Sequence, residues 1–267
     1  VQTMLDPADC GPACISLCQD IQGQTFDYPE EFFKERIHSI RRTRPDDFQI
    51  KEAAEKIKKS KNPIIISGGG VFYSNAMEEL SNFAIKHNIP VTQTVMGYSS
   101  MKRDHSHYAG QIGGLGGKNT NDLAKETDLA IAVGTKLADF TTGSWANFEN
   151  EKFKLVSINV SRFDANKHLA QAVVGDAKVS LIELSKALGD WKVREEWNQK
   201  SQRELKIWNE HIDKESAPTN QEVPSYVQVI GAIYRNSEPT DIAVTAAGGL
   251  VGEVVQVWRP KELNTHE

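Results

Sequence analysis

The middle of the chain alternates between two hydrophobic patterns. Short runs in which almost every residue is apolar are separated by longer segments in which apolar residues recur at helical spacing. The short runs predict strands at residues 64–66, 89–94, 128–133, 153–160 and 172–174. Strands without a polar face, alternating with amphipathic helices, are typical of a parallel sheet that is covered on both sides. We therefore predict an α/β fold, a doubly wound parallel sheet, over residues 45–190.

The longer segments predict the helices between these strands. They lie at residues 47–60, 75–87, 121–125 and 177–188. In the first helix, one apolar face is expected to point inward, formed by Phe48, Ala53 or Ala54, and Ile57. Pro63 is compatible with the start of a strand but not with its middle, so the first strand is expected to begin there.

Both flanks of this region have a different character. Residues 13–18 are predicted as a short buried strand that leads into a polar exit, which is how a domain ends. The other flank is predicted as a charged helix, a second helix, a strand and a turn, at residues 192–215, 226–234, 241–245 and 246–249. We expect 1–44 to be the end of one domain plus a linker, and 191–267 to be a linker helix and the start of another domain.

The charge balance gives no reason to expect a polyanionic partner. The 267 residues include 31 Lys or Arg and 36 Asp or Glu, a formal net charge of −5. Such a chain lacks the basic surface that nucleic acids and anionic membranes attract. Continuous apolar runs such as residues 63–66 are far too short to cross a bilayer. We expect a cytoplasmic protein that binds neither nucleic acid nor membrane.

Three cysteines, Cys10, Cys14 and Cys18, are spaced four residues apart. This spacing could serve metal ligands, but Gly11 and Pro12 prevent a regular helix through the segment. The alternative that we favour is the short strand, in which Cys14 and Cys18 share one buried face.

The string GQIGGLGGKNTN at 110–121 resembles a phosphate-binding loop. The P-loop pattern requires a glycine at position 112 and a hydroxyl side chain at position 119, because backbone N–H groups wrap the phosphates and the hydroxyl reaches the metal ion. These positions hold Ile112 and Asn119, so an NTPase is not predicted. The loop is either a simple connection or a surface that faces a ligand or a neighbouring domain, and Lys118 is expected to be solvated.

A second glycine run, Gly68, Gly69 and Gly70, follows the first predicted strand. The dinucleotide fingerprint needs a further glycine at position 73, where the chain has Tyr73. The run is therefore either a tight turn without a ligand or a nucleotide contact, and we favour the turn.

Two further places carry groups that could take part in chemistry. His105 and His107 lie in KRDHSHY and could bind a metal ion, but no further cluster of ligands is evident and a polar loop is the interpretation that we favour. Asp139 follows a strand end and could act as an acid or base, but holding a loop or capping a helix is the interpretation that we favour. The residues alone therefore predict the fold and leave the chemistry open.

Several strings, taken together, resemble thiamine-diphosphate-dependent enzymes of the acetolactate synthase type. The Rossmann-like central domain of that family is similar to KNPIIISGGGV (61–71), TDLAIAVGTKLADFTTG (127–143) and VVGDAKVSL (173–181). GPACISLCQDIQG (11–23) resembles the end of its pyrimidine-binding domain, and DIAVTAAGGLVGE (241–253) resembles the start of its diphosphate-binding domain.

This resemblance implies thiamine diphosphate and Mg²⁺ as cofactors of the full-length enzyme. It places the cofactor's diphosphate beside Ala247, Gly248, Gly249 and Leu250. The family's catalytic glutamate and its metal-binding motif correspond to no part of this chain, so no catalytic or metal-binding residue is assigned and the fragment is expected to be inactive. FAD is not expected, because no arginine closely follows Gly70.

The similar strings also imply a substrate class. A small cyclic diketone of myo-inositol catabolism is expected, with hydrolysis of a C–C bond and a homodimer or homotetramer as the full-length assembly. Two alternatives stay open, a carboligase or decarboxylase similar to acetolactate synthase and a stand-alone module that binds ADP or FAD.

Overall fold

The computed structural model describes residues 1–219, 221–246, 248–260 and 262–263. Its strands are β1 (Pro63–Ser67), β2 (Val91–Gln93), β3 (Tyr108–Gln111), β4 (Leu129–Val133), β5 (Lys154–Asn159) and β6 (Gln171–Val174). Its α-helices are α1 (Gln2–Leu5), α2 (Gln19–Gln22), α3 (Asp47–Lys58), α4 (Gly70–Tyr73), α5 (Met77–His87), α6 (Lys118–Glu126), α7 (Asp139–Thr142), α8 (Arg162–Ala165), α9 (Ala177–Leu188), α10 (Glu195–Glu215), α11 (Tyr226–Arg235) and α12 (Gly249–Val257). Short 3-10 turns lie at Glu30–Phe33, Val95–Gly97 and Lys167–Leu169.

Within the described residues, the strands form one parallel sheet in the order β3-β2-β1-β4-β5-β6. The chain builds outward from β1 to β3, returns across β1 to β4, and then builds outward to β6 on the other side. Ile65 pairs with Val91 of β2 and with Ile131 of β4, so β1 is hydrogen-bonded along both edges. This arrangement confirms the predicted α/β class and its doubly wound parallel sheet.

The sheet is buried because its central strands are apolar on both faces. All residues of β1 and β4 are buried, as expected for strands that helices cover on both sides. One group of helices packs together around α9, formed by α3, α5 and α9, and another packs beside β3, formed by α6 and α10. Among the described helices, none combines the length and the apolar character that crossing a bilayer requires.

The ends of β1 and β4 meet through glycine backbones. Gly70 donates its N–H to the Gly134 carbonyl at 2.9 Å, and Gly68 donates to the Val133 carbonyl at the same distance. A Cβ added at Gly70 would lie 2.6 Å from the Gly134 Cα, and Gly134 itself has φ +61°. No side chain fits between the two turns. The triple glycine therefore acts as the tight turn that we favoured from the sequence.

The turn that follows the edge strand β6 is bonded to the segment that precedes α3. Asp176 donates its N–H to the Thr43 carbonyl at 2.8 Å, and its carboxylate accepts a hydrogen bond from Arg42 at 2.8 Å. The same carboxylate accepts from the Val179 N–H at 3.2 Å and so caps α9. The buried Asp176 thus joins the turn after β6, the segment before α3 and the start of α9.

A second apolar cluster joins the helices of the carboxy-terminal part to the loop after β2. Its buried members are Tyr98, Ile212, Ile230, Val254, Val255, Val257 and Trp258. They come from that loop, α10, α11, α12 and the residue after α12, and none of them belongs to a strand of the sheet. The described residues after 215 therefore pack beside the sheet domain through α10 and Tyr98.

The short strand predicted at residues 13–18 is not formed. The segment lies outside helices and strands, and Cys10, Cys14 and Cys18 are exposed, so the prediction of a shared buried face was wrong. A strand is stable only when a neighbouring strand takes up its backbone hydrogen bonds. None of the described residues pairs with this segment.

Two other expectations were also wrong. Residues 241–245 form no strand, and only Ala243 makes an isolated bridge. Phe48 is exposed, whereas Ile50 and Ile57 are buried together with both alanines of α3. The reason is geometric, because Phe48 lies two residues before Ile50 and so about 200° around the helix.

The close approach of β1 and β4 generates a stability prediction. In the Gly68→Ala variant, the new methyl group would lie 2.5 Å from the Thr135 Cβ and would also contact the Gly134 carbonyl. We expect the free energy of unfolding to fall by about 2 kcal/mol or more, measured by urea denaturation.

Gly114→Ala is the matched control. Its methyl group would meet the Phe140 ring at 3.6 Å, an ordinary contact, so its effect should stay within about 0.5 kcal/mol. Equal stabilities for the two variants would contradict the close backbone packing.

Candidate functional site

Glycine-rich turns are the first candidates for an anion site, because small residues let backbone N–H groups approach a ligand. The chain has three of them, after β1, after β3 and at the start of α12. A turn can bind an anion only if its N–H groups are not already bonded within the protein. This criterion separates the three.

The turn after β3 has already used its N–H groups. Gly113 donates to the Asn121 Oδ1 at 3.0 Å, and Gly114 donates to the Phe140 carbonyl at 2.6 Å. Gly116 and Gly117 donate to the carbonyls of residues 113 and 111, at 2.9 and 3.0 Å. The loop is therefore a rigid connection and not a phosphate cradle, in agreement with the failed P-loop spacing.

Glycine is required in this loop by conformation and by space. Gly113 has φ +104°, and a Cβ there would lie 2.9 Å from the Thr141 Cα. The neighbouring Lys118 does not reach into the loop, because its exposed side chain pairs with Asp122. The expectation that Lys118 is solvated is confirmed.

The outer side of the same loop contacts helix α12. The Leu115 carbonyl accepts a hydrogen bond from the Gln256 side chain. A Cβ added at Gly252 would lie 3.3 Å from the Leu115 Cδ2, so the leucine sits close over the helix backbone. The sequence left open whether this loop is only a connection or also faces a ligand or a neighbouring domain. In the structure its outer side faces another segment of the protein.

The turn at the start of α12 is open. Gly248 has φ +140°, and a Cβ added at Gly248 or Gly249 would meet no described atom within 4 Å. Gly248 is the N-cap residue of α12 and has no side chain to cap its first turn, and Leu250 is 47% exposed. Ala247, the other residue predicted beside the cofactor, lies outside the described residues.

The turn at the start of α12 is better suited to bind an anion than the turns after β1 and β3. The first N–H groups of a helix lack partners within the helix and carry a partial positive charge. At Gly249 and Leu250 those groups lie in a turn where the N-cap residue Gly248 places neither a capping side chain nor a Cβ. A diphosphate could therefore reach them without displacing protein atoms.

The two histidines of the H-x-H string are held by hydrogen bonds. His105 Nε2 lies 2.7 Å from the Ser81 Oγ, and His107 Nε2 lies 3.0 Å from the Asn88 Oδ1. The Asn88 amide nitrogen donates to a carbonyl, so its Oδ1 accepts and His107 carries its proton on Nε2. Among the described residues, no group of three His, Cys, Asp or Glu side chains could hold a metal ion.

Asp139 lies at the beginning of the short helix α7 and is exposed. Its carbonyl accepts a hydrogen bond from the Ser144 N–H at 3.0 Å, which helps to close the turn after α7. This contact is made by the main chain, so the role of the Asp139 side chain stays a prediction.

The buried polar junction around Arg103 was not predicted from the sequence. The Arg103 guanidinium donates to the Tyr98 hydroxyl and to the Asn209 Oδ1, both at 3.2 Å. The Tyr98 hydroxyl lies 3.0 Å from the Val255 carbonyl, and burial raises the pKa of Tyr98. These residues come from three distant segments, so no local pattern could have brought them together.

The sheet also matches a known family. A family model described as the central domain of thiamine pyrophosphate enzymes matches residues 50–184. The matched region begins in α3, ends in α9 and includes β1 to β6.

Curated relatives match the chain well beyond that region. The 3D-(3,5/4)-trihydroxycyclohexane-1,2-dione hydrolase of Clostridium tetani is 37% identical over 292 residues, covering 100% of this chain and 45% of the relative. The protein of the same name from Clostridium perfringens is 34% identical, covering 97% and 44%. The hydrolase 1 of Bacillus cereus is 35% identical, covering 100% and 45%. The chain thus spans less than half the length of these relatives.

Protonation of His107 should destabilise the fold. Burial, and then the neighbouring His105, lower the pKa of His107 from 6.5 to about 4. Between these values the unfolded chain binds more protons than the folded chain, so the free energy of unfolding rises with pH. This contribution is fully present above pH about 6.5 and is lost as the pH falls towards about 4.

Urea denaturation at several pH values in this window would measure the effect. His107→Gln should make the free energy of unfolding less dependent on pH. Part of the dependence should remain, because burial also lowers the pKa of His87. The same substitution at the exposed His211 is the control and should keep the slope. An unchanged slope in His107→Gln would contradict the prediction.

Proposed function

The chain belongs to the thiamine pyrophosphate enzyme family, and we propose that it is part of a hydrolase that opens the ring of trihydroxycyclohexane-1,2-dione. The observation that carries the proposal is the identity with hydrolases of this name over both flanks as well as the sheet. A match restricted to the shared sheet would support the family alone. Similarity over 97% to 100% of the chain supports a common reaction.

The reaction cleaves the bond between two ring carbons with water and gives 5-deoxyglucuronate in myo-inositol breakdown. Thiamine diphosphate, when bound, supplies the carbon nucleophile that such a diketone requires. In this proposal the residues of this chain bind the cofactor and orient it. In this proposal the backbone N–H groups of Gly248, Gly249 and Leu250, together with Ala247, hold the diphosphate.

The remaining machinery is assigned to other parts of the whole protein. Residues 45–190 form its central domain, 1–44 end the preceding domain and 191–267 begin the following one. From the resemblance to the family, we propose that the Mg²⁺ site and the catalytic glutamate belong to other parts of the whole protein. The whole protein is proposed to be a cytoplasmic homodimer or homotetramer.

The alternatives receive less support from the contacts. A stand-alone nucleotide module would need free N–H groups in the turns after β1 and β3, and most of these groups are bonded to the protein itself. A carboligase similar to acetolactate synthase shares the family, but the three relatives described above are all named hydrolases. No observation favours either alternative over the hydrolase.

Activity of the whole protein tests the proposal. With thiamine diphosphate and Mg²⁺, we expect it to convert trihydroxycyclohexane-1,2-dione to 5-deoxyglucuronate, detected by mass spectrometry. Pyruvate, offered as the substrate of a carboligase, should not be consumed. Residues 1–267 alone should show no turnover. Consumption of pyruvate with no action on the cyclic diketone would replace the hydrolase by the carboligase.

A charge placed at the open turn tests the cofactor site. In Gly249→Asp the carboxylate stands in the first turn of α12, where it favours the helix but repels a diphosphate. We expect the Kd of the whole protein for thiamine diphosphate to rise about tenfold or more, measured by calorimetry.

Gly249→Ala is the control, because its methyl group enters open space and carries no charge. It should change the Kd less than Gly249→Asp does. If both variants bind the cofactor as tightly as the unmodified protein, the diphosphate lies elsewhere.

A further inference from the structure

One side chain in the last turn of α12 connects three parts of the structure. The Gln256 amide donates through Nε2 to the Leu115 carbonyl in the loop after β3. Its Oε1 accepts a hydrogen bond from the Trp208 Nε1 of α10 at 3.0 Å. The main-chain carbonyl of Gln256 also accepts from Arg103, at 3.5 Å.

The chemistry of the two partners fixes the orientation of this amide. A main-chain carbonyl can only accept a hydrogen bond, and an indole N–H can only donate one. Gln256 must therefore point its nitrogen at Leu115 and its oxygen at Trp208. Turning the amide over would break both bonds, so the side chain specifies a single arrangement of helix, loop and α10.

The partners of Gln256 are themselves held in place. Asn121 binds the Gly113 peptide on both sides, accepting from its N–H and donating to its carbonyl, each at 3.0 Å. Asn147 donates in turn to Asn121 at 3.0 Å. The loop that receives Gln256 is consequently a rigid support.

The support acts on one face of α12. Gly252 and Gln256 are four residues apart and therefore lie on the same face of the helix, and both are next to Leu115. Gly252 allows Leu115 to come close to the backbone of α12, and the hydrogen bond from Gln256 fixes this contact. Rotation of α12 about its axis would lose both contacts at once.

We propose that Gln256 is a positioning residue for the cofactor turn: by fixing the rotation of α12 against the loop after β3, it aims the N–H groups of Gly249 and Leu250 at the diphosphate. This inference rests on the proposed function. Gln256 does not touch the cofactor, since it lies seven residues along the helix, about 10 Å from the turn. A helix is stiff enough to carry orientation over this distance, and small errors of orientation weaken a bound anion.

The test uses the whole protein and separates orientation from stability. Gln256→Leu removes both amide bonds and keeps a side chain of similar size that favours a helix. Trp208→Phe removes the indole donor together with part of the ring that packs against the second apolar cluster, and leaves the bond to Leu115. Val257→Ala is the matched control, because it removes buried apolar volume from the same helix turn and keeps both amide bonds of Gln256.

For Gln256→Leu we expect a rise of about tenfold in the Kd for thiamine diphosphate, with kcat at saturating cofactor within about twofold of the unmodified protein. Trp208→Phe should give a smaller rise. Hydrogen exchange of the amides at 249–252 should become faster in Gln256→Leu without cofactor. Val257→Ala should lower the melting temperature but change the Kd less than about twofold.

The outcomes distinguish this inference from the function on which it rests. If the unmodified protein binds the cofactor and Gln256→Leu binds it equally well, the positioning role is overturned and the proposed function stands. An equal rise of the Kd in Val257→Ala also overturns the role, because general destabilisation then explains it. Failure of the unmodified protein to bind thiamine diphosphate overturns the proposed function and the inference together.

Discussion

The contact between the glycine turns of β1 and β4 determines where this fold can bind a ligand. In doubly wound sheets the usual ligand crevice lies where the strand order reverses, here between β1 and β4. At that point the backbones of Gly68, Gly70 and Gly134 touch and bond to one another. The chain itself thereby fills the space between these two turns, and among the described residues the turn at the start of α12 is the most open of the three glycine-rich turns.

The same constraint explains the role of the loop after β3. Its N–H groups are turned inward, so its outer surface is free to support a neighbouring element. Helix α12 packs on this surface, and the polar junction around Arg103 also holds this helix in place. In the part of the chain that the structure describes, Arg103 is bonded to a hydroxyl, an amide oxygen and a main-chain carbonyl. These acceptors are uncharged, and losing one of them would leave a guanidinium N–H without a hydrogen-bond partner at a largely buried place.

The sequence predicted the sheet well because its strands carry their own signal. The helix at 177–188 was placed at its observed bounds, and the strands lie within a few residues of theirs. Strand β3 was missed, since Gly110 within it has φ +108° and no apolar run marks it. The glycine runs were recognised as special, but their roles depend on partners such as Gly134, more than 60 residues away. A local sequence pattern indicates that a glycine is needed at a position. It does not predict which atom the glycine approaches in the folded chain.

The remaining question is why polar groups join α12 to the rest when an apolar cluster already does so. Apolar contacts such as those of Val254 and Trp258 are not directional, and they tolerate sliding and rotation of a helix at modest cost. Hydrogen bonds weaken steeply when their angles change, so the bonds of Gln256 and Tyr98 select one orientation among those that the cluster allows. Because each such bond contributes only about 1 kcal/mol to stability, their main effect is on geometry. An element that must aim its first turn at a charged group needs this kind of restraint more than it needs additional stability.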